Sequence, residues 1–444
     1  MKQKWIFFTK QKYISIVTLL LSLFYVAEGQ VTMRLNSWKY LADVRADLNQ
    51  LFNYNQYEGA RWGLGLQFTY PFRYDVSRLR DQQDGIRLKA YGAYGTFDKA
   101  FKGGASVGIA MAKFPLRSMG VSFSHDLDRA GSRQLGSYNI IQTYNNTSYV
   151  CSRYIGVDRL GMGIEQLHHR GNDIGILLRL SREDYRFDQN GLLYPGGEKG
   201  RMPCLKYTEG LVSVKYASGL TYRFLFGHVR SNEPNMKARA YATLVMQYAE
   251  KRTLKNSRED DLSLFLQGGL ATKTAPFGRY FDLSGTAGSH YFFRNSFMTV
   301  FPNTFWSNAY LVGCAHYLWG RPLWKSKISN PQPFVQMSAM IGGLRGSNHN
   351  GMLVYSLRNE TPVLPATTQQ IADENVIALH APTKGLLEPA VGIERILRVK
   401  WLEVGMACAY QLAPLRAEYR REGWKNNFAW MVMANLVLEY KMSK

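Results

Sequence analysis

Beyond residue 29 the 444-residue chain contains no apolar run near the roughly 20 residues that a membrane-spanning helix needs, although 46% of its residues are hydrophobic. A helical membrane protein is excluded. Acidic residues are scarce: 33 Asp and Glu stand against 55 Lys and Arg, for a formal charge of +22. Such a surplus attracts anions. Yet the cations are scattered singly over strands and turns, without the clustered basic helix or aromatic platform of nucleic-acid modules, so nucleic acid is not an expected partner. Cysteine is sparse as well. Cys151, Cys204, Cys314 and Cys408 show no CxxC spacing, so no metal site and no cofactor are expected. Export to an oxidising compartment allows disulfides, and burial as small apolar side chains is the other reading.

Catalytic signatures are missing too. The HExxH spacing of zinc proteases and the GxSxG turn of serine hydrolases are both absent. Only His168-His169 and His125-Asp126-Leu127-Asp128 gather residue types suited to catalysis. A barrel lipase assembles its triad from neighbouring strands without a local motif, which singles out Ser122, Ser124 and His125; the plainer reading is a strand end meeting a polar turn. The expectation is a protein without enzymatic activity.

What is present begins with Lys2, Lys4, Lys10 and Lys12, a nearly uncharged run over residues 13–26, and small residues at Ala27 and Gly29. That order predicts a cleavable secretory signal over residues 1–29. From Trp62 onward the chain alternates: Trp62, Leu64, Leu66, Phe68 and Tyr70 are apolar, whereas Gly63, Gly65, Gln67 and Thr69 are small or polar. Side chains alternate between the two faces of a strand, so this pattern suits a wall with lipid outside and a polar lumen inside. It recurs at Met119, Val121 and Phe123, at Ile174, Ile176 and Leu178, at Tyr222, Phe224 and Phe226, at Leu402, Val404 and Met406, and over residues 428–440. Clusters of Gly, Asn, Asp and Pro at residues 80–85, 188–191, 195–197 and 231–235 supply reversals. The predicted fold is all-β: a transmembrane antiparallel β-barrel of about 14 to 16 strands over residues 60–444.

Two segments depart from the pattern. Residues 343–388 carry Gly, Ser, Asn, Pro and Thr with little alternation and predict a long surface loop. Residues 30–59 read as a short periplasmic lead, in which residues 44–52 can form an amphipathic helical turn or two, or else as the lead into the first strand. No solenoid repeat and no separate soluble domain is visible. At lumen parity stand four basic residues, Arg61, Arg87, Lys89 and Arg179. They suggest an anion-attracting interior; the rival reading is that they pair with lumen carboxylates and fill the barrel.

Four stretches carry a resemblance. Residues 53–61 (NYNQYEGAR) followed by Gly63-Leu64-Gly65, residues 93–102 (AYGTFDKAFK), His125-Asp126-Leu127 with Gly131-Ser132, and residues 388–397 (EPAVGIERIL) occur in that order. Together they resemble the outer-membrane barrel family of Bacteroidota, of unknown function, whose members usually carry a carboxypeptidase-regulatory-like domain in front. The entry into the first strand is more distantly similar to outer-membrane insertase and translocation barrels. The resemblance implies a barrel in the cell outer membrane, surrounded by outer-membrane lipid and lipopolysaccharide, with a periplasmic or envelope protein as a further candidate partner and no assigned ligand. It hands over no catalytic residue. Where relatives tend to show Phe-x-Ser-Asp-Arg-Tyr, this chain has Phe305-Trp306-Ser307-Asn308-Ala309-Tyr310, so a lumen brace built on that acid and base has to be built differently. The expected role is structural or transport, with a basic lumen plugged by loops; the alternative is an assembly factor that acts through the seam between first and last strands.

Overall fold

The computed structural model describes residues 32–38, 42–47, 51–55, 57–72, 84–111, 118–131, 153–187, 204–231, 237–254, 259–283, 297–300, 304–347, 351–356, 361–363, 376–399, 402–412 and 427–436. The signal reading at residues 1–29, the turn clusters at 188–191 and 195–197, and Cys151 lie outside them. Among the described residues no helix is long and apolar enough to cross a membrane. The chain is all-β, an antiparallel transmembrane β-barrel.

Its strands follow one another in the sheet almost as they do in sequence. β1 (Thr32–Trp38) lies along β2 (Ala42–Asp47), while β2 and β3 (Phe52–Asn55) continue each other along β4 (Gly59–Pro71). Residues 44–47 and 52, part of the stretch for which the sequence also allowed helical turns, lie in β2 and β3. A meander follows: β5 (Gly85–Gly95), β6 (Phe101–Ala110), β7 (Ser118–Arg129), β8 (Arg153–His169), β9 (Asn172–Phe187), β10 (Cys204–Lys215), β11 (Leu220–Ser231), β12 (Arg239–Thr253) and β13 (Asp261–Ala271). β14 (Phe281–Asp282) and β15 (Trp306–Ser307) pair with each other off the wall, and β16 (Ala309–Leu318) and β17 (Gln332–Gly343) resume it. β18 (Met352–Ser356), β19 (Thr361–Val363) and β20 (Val376–His380) form a separate small sheet. β21 (Leu386–Val399), β22 (Leu402–Tyr410) and β23 (Phe428–Leu436) complete the wall. Among the described residues the main sheet has 18 strand segments; with β2 and β3 taken as one and β1 set outside β2, 16 strands span the wall.

The outer face is the apolar parity of the sequence. Trp62 is 57% exposed and Leu64, Leu66 and Tyr70 are exposed beside it, whereas Arg61, Gly65 and Thr69 are buried on the other face. Phe224 and Phe226, Met406 and Tyr410, and Phe428, Trp430 and Val432 continue the exposed set. In water such a belt would be untenable; in lipid it is the required surface. The shortest reversals, β8–β9, β10–β11 and β21–β22, share one end. At the β8–β9 hairpin Arg170 (φ 47°) and Gly171 (φ 83°) both take positive φ, the two-residue turn whose twist matches the flanking strands. Long connections gather at the other end, after β7, β9, β13 and β17.

Two of those connections return into the wall's interior. Asp282 donates its backbone N–H to the Gly131 carbonyl just past β7, and Leu283 lies against Gly342 of β17. Eight strand steps separate β7 from β17, so a flat sheet would hold them about 40 Å apart. Consecutive residues touch both, so the sheet is curled around them. Residues 343–388, expected as a long surface loop, form the long connection from β17 to β21, and its described residues fold back as the β18–β19–β20 sheet, with Leu353, Tyr355, Ile377 and Leu379 buried in one cluster with Tyr207 and Tyr241 of the wall. The long connection stands, but its burial was not legible because a run that packs against a curved lumen needs no two-faced alternation.

The outward parity carries a quantitative consequence. Leu66→Arg, near the middle of the exposed run, should cost about 2–4 kcal/mol of folding stability in urea titrations in bilayers, and Gln67→Arg on the inner face should cost less.

Candidate functional site in the lumen

Among the described residues, ionised side chains inside the wall form two main clusters, and each contains a basic residue singled out by parity. The first sits where β4, β5, β6 and β7 meet. Arg61, 4% exposed, donates Nη1 and Nη2 to the two Asp126 carboxylate oxygens at 2.6 and 2.9 Å, and Nη1 also reaches Glu58 Oε1 at 3.1 Å. Lys102 Nζ lies 2.8 Å from the same Glu58 oxygen and also pairs with Asp98. Tyr91 donates its hydroxyl to Asp126 at 2.6 Å, and the Leu127 N–H donates to Asp126 at 2.8 Å. A fork-to-fork guanidinium–carboxylate pair fixes angle as well as distance. Gly59 opens β4 at φ +69° under the Phe97 ring, a position closed to any side chain.

Three of the four stretches that carry the resemblance thus converge here, through Glu58 and Arg61, Asp98 and Lys102, and Asp126. The fourth supplies Glu388, whose two carboxylate oxygens accept the Met298 and Thr299 N–H groups at 2.9 Å each. That tethers residues 297–300 to β21.

The second cluster joins the inserted segment to β9, β10 and β12. Arg279, in a 3-10 turn at Phe277–Arg279, donates Nη2 to Glu183 at 2.8 Å and Nε to Glu209 at 2.7 Å. Its guanidinium stacks 4.5 Å over the Tyr207 ring. Arg179 Nε donates to Glu209 at 2.8 Å, and the Tyr241 hydroxyl donates to the other oxygen of that carboxylate. Burial alone would lower the Arg279 pKa, but Glu183 and Glu209 outweigh it and hold the group well above the ordinary guanidinium range. Beside it, Phe277 packs on Trp306 with ring centroids 4.7 Å apart, and the Trp306 ring closes on Gly131 (φ +71°), where a Cβ would lie 2.1 Å from it.

Of the four sequence candidates, Arg61 and Arg179 are answered by carboxylates, while Arg87 and Lys89 lie on the same inward parity of β5, each with partners of its own. Arg159 likewise pairs with Asp128. Arg61, Arg159 and Arg179 are thus paired with lumen carboxylates, as the plainer of the two sequence readings has it for Arg61 and Arg179. Sequence reading missed Arg279, whose Pro-Phe-Gly-Arg-Tyr setting has no alternation; it could have found Glu183 and Glu209, which are acids at inward parity. The lipase grouping falls apart: alternation turns Ser122 and Ser124 inward while His125 is 54% exposed outside, paired with Asp158. His169 is exposed beside the β8–β9 hairpin. Cys204, Cys314 and Cys408 are free thiols, and among the described residues no set of His, Cys, Asp and Glu is gathered for a metal.

Comparison with known proteins gives no matching family model and no matching curated sequence. Solved structures do align. BamA from Haemophilus ducreyi lacking POTRA domains 1–3 aligns at 10% identity over 96% of this chain and 78% of that one, with a TM-score of 0.49. CdiB from Acinetobacter baumannii aligns at 10% identity over 89% of this chain, which spans only 59% of CdiB, with a TM-score of 0.41. The outer membrane protein OprD from Pseudomonas aeruginosa aligns at 11% identity over 93% and 95% of the two chains, with a TM-score of 0.29.

Breaking one side of the first cluster should be costly. Asp126→Leu, which leaves the buried Arg61 with Glu58 alone, a carboxylate it shares with Lys102, should lose about 3 kcal/mol in urea titration, and the double replacement Arg61→Leu with Asp126→Leu should recover most of that loss.

Proposed function

We propose that the protein is an outer-membrane β-barrel without enzymatic activity whose lumen is closed by its own chain, with a structural or transport role in the envelope. The observation that carries this reading is the Arg279 brace: one buried guanidinium holds the inserted segment to two wall carboxylates. Phe277, Trp306, Tyr355 and Leu379, all at most 1% exposed, pack in one buried cluster with wall residues and support a closed lumen. The outward apolar belt and the resemblance to the Bacteroidota barrel family support the membrane and the location. Outer-membrane lipid and lipopolysaccharide are its surroundings, no cofactor takes part, and an envelope protein remains the candidate macromolecular partner.

A second reading, an assembly factor acting at its seam, has one observation in its favour. Among the described residues no ladder joins β23 to the N-terminal strands. A disulfide engineered between β23 and β3 should abolish function under that reading; unchanged growth and envelope composition would remove it.

For the plugged barrel, planar-bilayer recordings of the purified protein should be silent, and Arg279→Ala should give discrete ion-conducting steps. Steady conductance from the unaltered protein would contradict the closed lumen.

A further inference from the structure

The outward face changes character along one line of strand partners. On β9 the outward residues Ile176, Leu178 and Leu180 are exposed and apolar, and the next is Arg182, whose side chain is 55% exposed. Arg182 stands opposite Lys206 of β10, and Lys206 opposite Arg230 of β11. Directly opposed like charges destabilise a sheet. Here three cations lie in succession about 4.8 Å apart. Carboxylates reach only the Arg182 end of the row: Asp158 stands opposite Arg182 but is already paired with His125, and Asp184 lies 3.8 Å from Arg182. Arg182 Nε also donates to Cys204 Sγ at 2.9 Å, which leaves both Nη groups to an incoming phosphate. Among the described residues the side chains of Lys206 and Arg230 have no ion-pair or hydrogen-bond partner. The line lies toward the end with the long connections, where β8 and β9 run 17 and 16 residues against the 9–11 that cross a bilayer.

An apolar trough lies in the neighbouring line of partners, on β4 to β7. Leu66, Ala90, Ala105 and Phe123 are successive cross-strand partners on β4 to β7. The two alanines between larger neighbours leave a groove of about 470 Å³ in the lipid-facing wall. In the next line toward the long connections, Gly92 and Gly103 extend the low floor to His125, the start of the charged row; a Cβ on Gly92 would meet nothing within 4 Å.

We propose that this surface is a binding site for a phosphorylated outer-leaflet lipid of the lipopolysaccharide kind, its acyl chains in the Ala90–Ala105 trough and its phosphate on Arg182, Lys206 and Arg230. Phosphate resolves the repulsion among three opposed cations, and guanidinium groups are suited to bind it in forked geometry. The trough supplies the shape for chains, and the row supplies the charge. This inference rests on the membrane reading above.

The test uses the full chain in nanodiscs of phosphatidylcholine, titrated with lipid A carrying its phosphates and with the same lipid dephosphorylated. The phosphorylated lipid should bind more tightly. Replacing Arg182, Lys206 and Arg230 together with Gln should weaken its binding about 100-fold, while Arg182→Lys with Arg230→Lys keeps most of the affinity. Ala90→Leu with Ala105→Leu, which fills the trough, should weaken binding with the cations intact. Equal binding of both lipids, or a triple variant that binds like the unaltered protein with the same strand content by circular dichroism, overturns the site and leaves the barrel standing. A chain that does not enter the discs overturns the membrane reading itself.

Discussion

A guanidinium taken out of water must meet carboxylates, and in this barrel that requirement organises the interior. Arg279 is brought into the lumen by a segment with no strand pairing to the wall at that point, and it finds Glu183 and Glu209 on adjacent strands. The pairing sets depth and rotation together, because both acids and the Tyr207 ring have to be satisfied by one planar group. Once Arg279 is seated, Phe277 meets Trp306 and Tyr355, and Trp306 closes on the flat face that Gly131 leaves open. The small β18–β19–β20 sheet then has an apolar bed. Hydrophobic burial supplies most of the energy and the ion pairs supply the register.

The same accounting redistributes the basic surplus. A formal charge of +22 invites the picture of a positive pore, but Arg61, Lys102, Arg159, Arg179 and Arg279 all face carboxylates inside the wall. Lys206 and Arg230, which have no such answer among the described residues, sit on the outward face beyond the apolar run. A charge that cannot be solvated by lipid has only two stable addresses in a barrel: a paired place in the lumen, or the rim where phosphate and water are at hand.

The wall was legible in the sequence because a dyad repeat with lipid on one face is a local pattern. Trp62, Leu64 and Leu66 outward and Arg61 inward follow from parity alone, as does the inward placement of Arg87, Lys89 and Arg179. The interior was not legible, for two physical reasons. Its partners are far apart in sequence: Arg279 meets Glu183 from 96 residues away, and Glu388 meets Thr299 across 89. And a segment packed on all sides has no polar face to alternate with, so residues 343–388 read as a loop although Leu353 and Leu379 are fully buried. Parity applied to acids as well as bases would have located Glu183 and Glu209, but not the residue that joins them.

The claim on which this account turns is that the chain fills its own lumen. Amide hydrogen exchange of the bilayer-reconstituted protein addresses it directly, read at residues 277–283, 352–356 and 376–380. The account predicts protection there approaching that of wall strands such as β11, because those amides are enclosed and paired. Exchange at the rate of an open surface loop would contradict it.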